Sequence, residues 1–177
     1  WSLAIHGGAG IIARGDLTPE LEAAYRSALR ASLAAGQAVL EKGGTALDAV
    51  QAALVGLEDD PHFNAGKGAA IAADGNCYLD AAIMDGGSMQ AGAVAALTRT
   101  RNPILAARAV LEHSRHVLLA GPGADAFSVA SGLTQVEPSY FHTPEREQMF
   151  KDWQKDHAAW LNPTHRYGTV GAVALDS

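Results

Sequence analysis

Apolar and polar positions along this chain fall into blocks whose spacing predicts both helices and strands. Leu3-Ala4-Ile5 is a short apolar strand running into the glycine-rich turn His6-Gly7-Gly8-Ala9-Gly10. Thr18-Pro19-Glu20 supplies an N-cap hydroxyl, a proline at the first helical position and an acid, so a helix starts there. It runs to about Lys42, with Leu21, Tyr25, Ala28, Ser32, Ala35 and Val39 on one face, and Gly43-Gly44 ends it. Thr45-Ala46-Leu47-Asp48 is a capping-box variant, followed at helical spacing by Leu47, Val50, Leu54 and Leu57. Asp59-Asp60-Pro61 stops that helix. Residues 68–73, 77–84 and 91–98 read as strands separated by turns at Asp74-Gly75-Asn76 and Asp85-Gly86-Gly87-Ser88, an antiparallel meander. A helix opens at Pro103 and reaches His113, residues 117–120 read as a strand, and 123–131 as a helix. Thr143-Pro144-Glu145 starts a charged, one-sidedly exposed helix that continues through Trp153 to about Trp160. A polar, kinked run then leads to Gly168-Thr169 and the apolar strand 170–175. The order gives a layered α+β fold in a single domain, 1–177, without the βαβ alternation of a doubly wound sheet.

Composition narrows the classes. At 177 residues and 48% hydrophobic, the chain can bury a real core. A net charge of -6 gives no electrostatic support for nucleic-acid binding. No apolar run approaches the ~20 residues of a membrane helix. The lone cysteine, Cys77, excludes an internal disulfide and reads as core. Trp1 stands where a methionine would, which leaves a cytoplasmic or a periplasmic location open. The chain ends just after a strand begins, so part of the functional unit is expected outside it.

Four groups of residues are candidates for chemistry. A threonine opening a buried strand behind a polar linker, Thr169, is where a cut would expose a nucleophile carrying its own base, the freed α-amine. That amine titrates near pH ~8, so much of it accepts a proton at neutral pH. The same residues also fit a glycine before an ordinary strand. Second, the His6–Gly10 turn lets backbone N–H groups approach a ligand closely, though it has neither dinucleotide-binding nor P-loop spacing. Third, the loop from Leu57 to Gly68 is rich in acids and carbonyls and suits a hard cation or a solvated helix end; its Asn64 could orient a water or a carbonyl. Fourth, Asp80 and Asp85 read as paired carboxylates or as turn and strand-end residues. The remaining histidines lack metal-ligand spacing, and no serine nucleophile elbow is present.

Seven motifs occur in one order: HGGAG, GGTALDAV, DDPHFNAGKGA, LDAAIMDG, AGAVAAL, RNPILAARAVLE and GTVGAVALD. This set closely resembles the plant-type L-asparaginase and isoaspartyl peptidase family of N-terminal nucleophile hydrolases, from Leu3 to Asp176. The resemblance implies a four-layer αββα sandwich, made as a precursor that cleaves itself at Gly168-Thr169 into an α-chain and a β-chain. Residues 138–167 then correspond to the variable linker before the cut, and 169–177 to the start of the β-chain. It implies Thr169 as nucleophile, with Asn64 beside it, and His6, Gly7, Gly8, Ala9 and Gly10 as the glycine loop near that nucleophile. It also implies a structural sodium ion on the main-chain carbonyls of Leu57, Glu58, Asp60, Phe63, Ala65 and Lys67, and no organic cofactor. The implied reaction is hydrolysis of asparagine or of β-aspartyl dipeptides; a glycosylasparaginase, a threonine endopeptidase or an inactive member are the alternatives. The implied partners are the β-chain of the same precursor in an (αβ)2 heterotetramer and the small substrate, with no nucleic acid and no membrane. The family's substrate-gripping arginine and aspartate, and its oxyanion threonine and glycine, correspond to positions past Ser177.

Overall fold

The structure, a computed structural model, describes residues 1–8, 17–155 and 168–176. Its elements are β1 (Ser2–His6), α1 (Pro19–Glu41), α2 (Ala46–Asp59), β2 (Leu79–Met84), β3 (Ala91–Leu97), α3 (Pro103–His113), β4 (Leu118–Ala120), α4 (Gly121–Ala130), α5 (Pro144–Lys155) and β5 (Gly171–Leu175). The two long helices start where their caps predict. Thr18 Oγ1 accepts from Leu21 N–H at 3.2 Å and Thr45 Oγ1 from Asp48 N–H at 3.1 Å, each satisfying an orphan donor of the first turn.

The strands form two separate sheets. β1 and β5 pair antiparallel from Ser2 opposite Leu175 to His6 opposite Gly171. β2 and β3 form an antiparallel hairpin, and β4 joins β3 in parallel. The meander expectation therefore holds only for β2 and β3. β3, α3 and β4 make one βαβ crossover, which the sequence reading did not anticipate, without the repeated alternation of a doubly wound sheet: α3 packs against β2 and β3, and this return path brings β4 alongside β3 in the same direction.

The stretch 68–73 is not a strand either. Gly68 N–H bonds to the Phe141 carbonyl and Ala69 N–H to the Gly66 carbonyl, so its polar groups serve a loop, and one bridge, Ile71 to Cys77, is all the ladder that forms. α1 also differs in detail: Ser32, Gly36 and Leu40 are buried, whereas Ala35 is exposed. Gly36 is where α1, α2 and β1 meet. A Cβ there would lie 2.7 Å from the Ala49 carbonyl oxygen and 2.8 Å from Leu3 Cδ2, so only glycine allows this approach.

The main core gathers Leu79, Ile83, Val94 and Leu97 of the hairpin with Ile104, Ala106, Ala107 and Val110 of α3, Ala124 of α4, and Phe141. Phe141 sits in a short 3-10 turn, Pro138–Phe141, and is fully buried. So the first part of the stretch read as linker is anchored in the core, and α5 follows it directly. Trp160 and the end of the helix expected there lie outside the described residues. Among the described residues, no helix is long and apolar enough to cross a membrane.

Candidate active site around Gly168 and Thr169

β5 enters its sheet at Gly171, so Gly168, Thr169 and Val170 extend past His6 at the end of the β1–β5 ladder. Gly8, just after β1, lies against them. A Cβ on Gly8, whose φ is +126°, would sit 3.2 Å from the Thr169 carbonyl oxygen and 3.4 Å from Gly168 Cα. A side chain there would suffer both the backbone strain and the crowding. The His6 ring covers Gly171 closely enough to leave no room for a Cβ. His6 and Gly8 are thus beside the Gly168-Thr169 bond or its strand, whereas Gly7 faces the Phe63 ring and Leu29; Ala9 and Gly10 lie outside the described residues.

Asn64 reaches the same bond from the loop after α2. Its Nδ2 donates to the Gly168 carbonyl oxygen at 2.6 Å, while its Oδ1 accepts from Ala70 N–H at 2.8 Å. The second bond fixes the amide's orientation, so the first aims a donor at one carbonyl. Asn64 and Thr169 both line a cavity of about 560 Å³, walled by Leu54 and Glu58 of α2, Ala65, Gly66 and Ala69 of the loop, and residues of β2 and β3. Thr169 itself is exposed.

The loop between α2 and Ala70 curls on its own carbonyls. Glu58 O accepts from Lys67 N–H at 2.8 Å. A Cβ on Gly66 (φ +46°) would strike Glu58 O, and one on Gly68 (φ +95°) would strike Pro61 O and lie 2.9 Å from Phe63 O. Carbonyl oxygens thus crowd these two glycines in a cradle of oxygen donors, a chemistry that suits a hard cation better than a transition metal. Of the six residues expected to ligate sodium, Glu58 and Phe63 contribute oxygens to this cradle, and Pro61 joins them although sequence reasoning omitted it. Leu57 is buried in α2, Ala65 lines the cavity, and Lys67 points its Nζ over the Tyr140 ring at 5.7 Å. The Asp60 carboxylate accepts from His62, at 2.9 Å from its N–H and 2.7 Å from Nδ1.

The Glu58 side chain was not a candidate by sequence, yet among the described residues it is the one buried acid. Its Oε1 accepts from Ile104 N–H at 2.9 Å at the start of α3, and its Oε2 has no partner. Burial pushes the carboxyl up to about 8, against the opposing pull of the Ile104 and Asn102 hydrogen bonds. Next to it, Asp59 takes Arg101 through both oxygens at 3.1 Å and Asn102 at 3.1 Å, so the end of α2 is stapled to the start of α3.

Other candidates resolve into structural roles. Asp80 Oδ1 accepts from Ala96 N–H at a bulge in the hairpin, where Ala96 has φ +54°, and Asp85 holds the Gly87 and Ser88 N–H groups of the turn. They are not a carboxylate pair. Cys77 is buried and its thiol is pushed up to about 11 by burial. Among the described residues no three His, Cys, Asp or Glu side chains cluster as metal ligands. His157 and His165 lie outside the described residues.

A strand-end threonine whose preceding carbonyl is held by a side-chain amide is an arrangement suited to attack of the hydroxyl on that carbonyl. The chain belongs to the asparaginase family, whose model matches residues 1–177. It is 47% identical to the isoaspartyl peptidase of Salmonella typhimurium over 98% of its length and 58% of that protein's. It is 45% identical to the isoaspartyl peptidase of Escherichia coli, over 98% of this chain and 56% of that one. It is 38% identical to the plant-type L-asparaginase of Pyrococcus abyssi, over 99% and 59%. The chain thus spans less than two thirds of the length of these relatives.

Proposed function

We propose that this chain carries the cleavage point and nucleophile of a self-processing threonine amidohydrolase. The observation that carries the reading is the 2.6 Å hydrogen bond from Asn64 Nδ2 to the Gly168 carbonyl oxygen. A donor at that oxygen stabilises the charge that develops when a nucleophile adds to the carbon. Thr169 Oγ adds to the Gly168 carbonyl carbon and its proton passes to the Thr169 nitrogen. The C–N bond breaks, leaving an ester between Gly168 and Oγ. Water hydrolyses the ester, giving a Gly168 carboxylate and a Thr169 with free amine and hydroxyl. The amine then serves Oγ as base.

In the mature enzyme, Thr169 attacks the side-chain amide of asparagine or the β-linked peptide bond of an isoaspartyl dipeptide. Ammonia or an amino acid leaves, and water releases aspartate from the β-aspartyl intermediate. The names of the relatives, isoaspartyl peptidase and plant-type L-asparaginase, support this substrate class over a glycosylated asparagine or a protein substrate. A sodium ion on the carbonyls of Leu57, Glu58, Asp60, Phe63, Ala65 and Lys67 would brace the Asn64 loop; the crowded carbonyl cradle supports it. The four-layer sandwich is supported by the face of the β2–β3–β4 sheet that carries Ala82, Met84 and Leu118, all exposed and apolar or small, ready for a second sheet. An (αβ)2 assembly of α- and β-chains is the oligomer that goes with this reading.

Intact-mass analysis of the full-length polypeptide tests it. Two fragments split before Thr169 are expected, together with turnover of asparagine or β-aspartyl dipeptides, and neither with Thr169→Ala. A Thr169→Ala protein still cut at that bond would overturn the reading.

A further inference from the structure

The cleavage machinery has a second support that sequence patterns do not reveal. We propose that Arg146 is a positioning residue for scission of the Gly168-Thr169 bond, acting through the Gly68 carbonyl on the loop that holds Asn64. The proposal rests on the self-cleavage reading above.

Both polar groups of the Gly68 backbone are taken by one segment. Gly68 N–H donates to the Phe141 carbonyl at 3.0 Å, and Gly68 O accepts from Arg146 Nε at 2.6 Å. That segment is itself fixed. Phe141 is fully buried, Thr143 is nearly so, and Thr143 Oγ1 accepts from Arg146 N–H at 3.2 Å at the start of α5. A guanidinium nitrogen, Nη1, also rests 3.4 Å from Met149 Sδ, which holds the side chain along its helix. The short bond to Gly68 is charge-assisted and partly buried, the stronger kind.

The path from Gly68 to the scissile carbonyl is short. Ala70, two residues on, gives its N–H to Asn64 Oδ1, and the other end of that amide holds Gly168 O. Gly68 (φ +95°) also closes the carbonyl cradle against Pro61 and Phe63. Releasing the Gly68 carbonyl lets the stretch 66–70 relax, and the Asn64 donor moves with it. α5 is described as far as Lys155, thirteen residues before Gly168, so a segment shortly before the bond in the chain also shapes the donor that polarises it.

The test follows cleavage of the full-length precursor by intact mass over time in wild type, Arg146→Met, Arg146→Lys and Arg146→Ala, with thermal melts alongside. Arg146→Met keeps the apolar stem and removes the donor; it should slow cleavage about tenfold, a displacement effect smaller than loss of a direct contact. Arg146→Lys restores a donor and should recover most of the rate. Millimolar guanidinium should speed Arg146→Ala but leave Asn64→Ala unchanged, a rescue that general weakening of the fold would not produce. If wild type is cut before Thr169 and Arg146→Met is cut at the same rate, the positioning role is overturned and the self-cleavage reading stands. Slow Met and Ala variants that neither lysine nor guanidinium improves also overturn it. If wild type is not cut there, the self-cleavage reading fails and the proposal fails with it.

Discussion

Both ends of the Asn64 amide are committed to backbone partners, and only the donor end touches the Gly168 carbonyl. Substitutions can therefore separate its two tasks. Asn64→Asp keeps an acceptor for Ala70 and loses the donor, and Asn64→Ala loses both. Each should slow appearance of the two fragments by about 10²-fold, the usual effect of deleting one oxyanion-type donor, measured by intact mass. An aspartate variant that cleaved normally would remove Asn64 from the chemistry. Cys77 makes the opposite case. Its thiol is pushed up to about 11 by burial and its side chain is buried, so at pH 8 the reactive thiolate is scarce. Native protein should resist Ellman's reagent for hours and react within minutes once unfolded in urea. Rapid native labelling would contradict the burial.

At the scale of elements, α2 is the beam between β5 and the loop that carries Asn64. Its N-terminus gives Ala46 N–H to Asp176 Oδ2 at 2.8 Å, just past β5, and its C-terminus carries Glu58 and Asp59, bound to the start of α3. A carboxylate at a helix N-terminus meets unsatisfied N–H groups and the positive end of the dipole. Asp176→Ala should lower stability by about 0.3–1 kcal/mol, since the contact is exposed, and Asp176→Asn should lose less. Urea denaturation with unchanged m-values checks both, and an alanine variant as stable as wild type would show that β5 is held by its ladder alone.

At the scale of the whole molecule, Phe141 joins the main core to the site: its ring is fully buried and its carbonyl holds Gly68 N–H. Phe141→Ala should cost about 3–5 kcal/mol, the range for emptying a buried aromatic position, and lower the melting temperature accordingly. A loss below about 1 kcal/mol would show that the site collapses around the gap. Little of this was legible beforehand, and the division has a physical cause. The sequence by itself determined what acts within a few residues: the caps at Thr18 and Thr45, the prolines at helix starts, the glycines where backbones must pass, the buried Cys77, and the ordered motifs that carry the family. Those signals are local because a cap or a turn closes over three or four bonds along the chain. Tertiary structure decided everything that depends on distant segments meeting. It turned 68–73 from a strand into a loop, because Phe141 and Arg146 claim the Gly68 backbone groups. It laid β4 parallel to β3, left Glu58 with an unpartnered oxygen beside the cavity, and brought Asn64 onto a carbonyl 104 residues away. Only the pairing of Asn64 with the Thr169 region was expected, through the ordered motifs; no hydrophobic period encodes these meetings, because they exist only once the apolar faces of separate elements have been buried against one another.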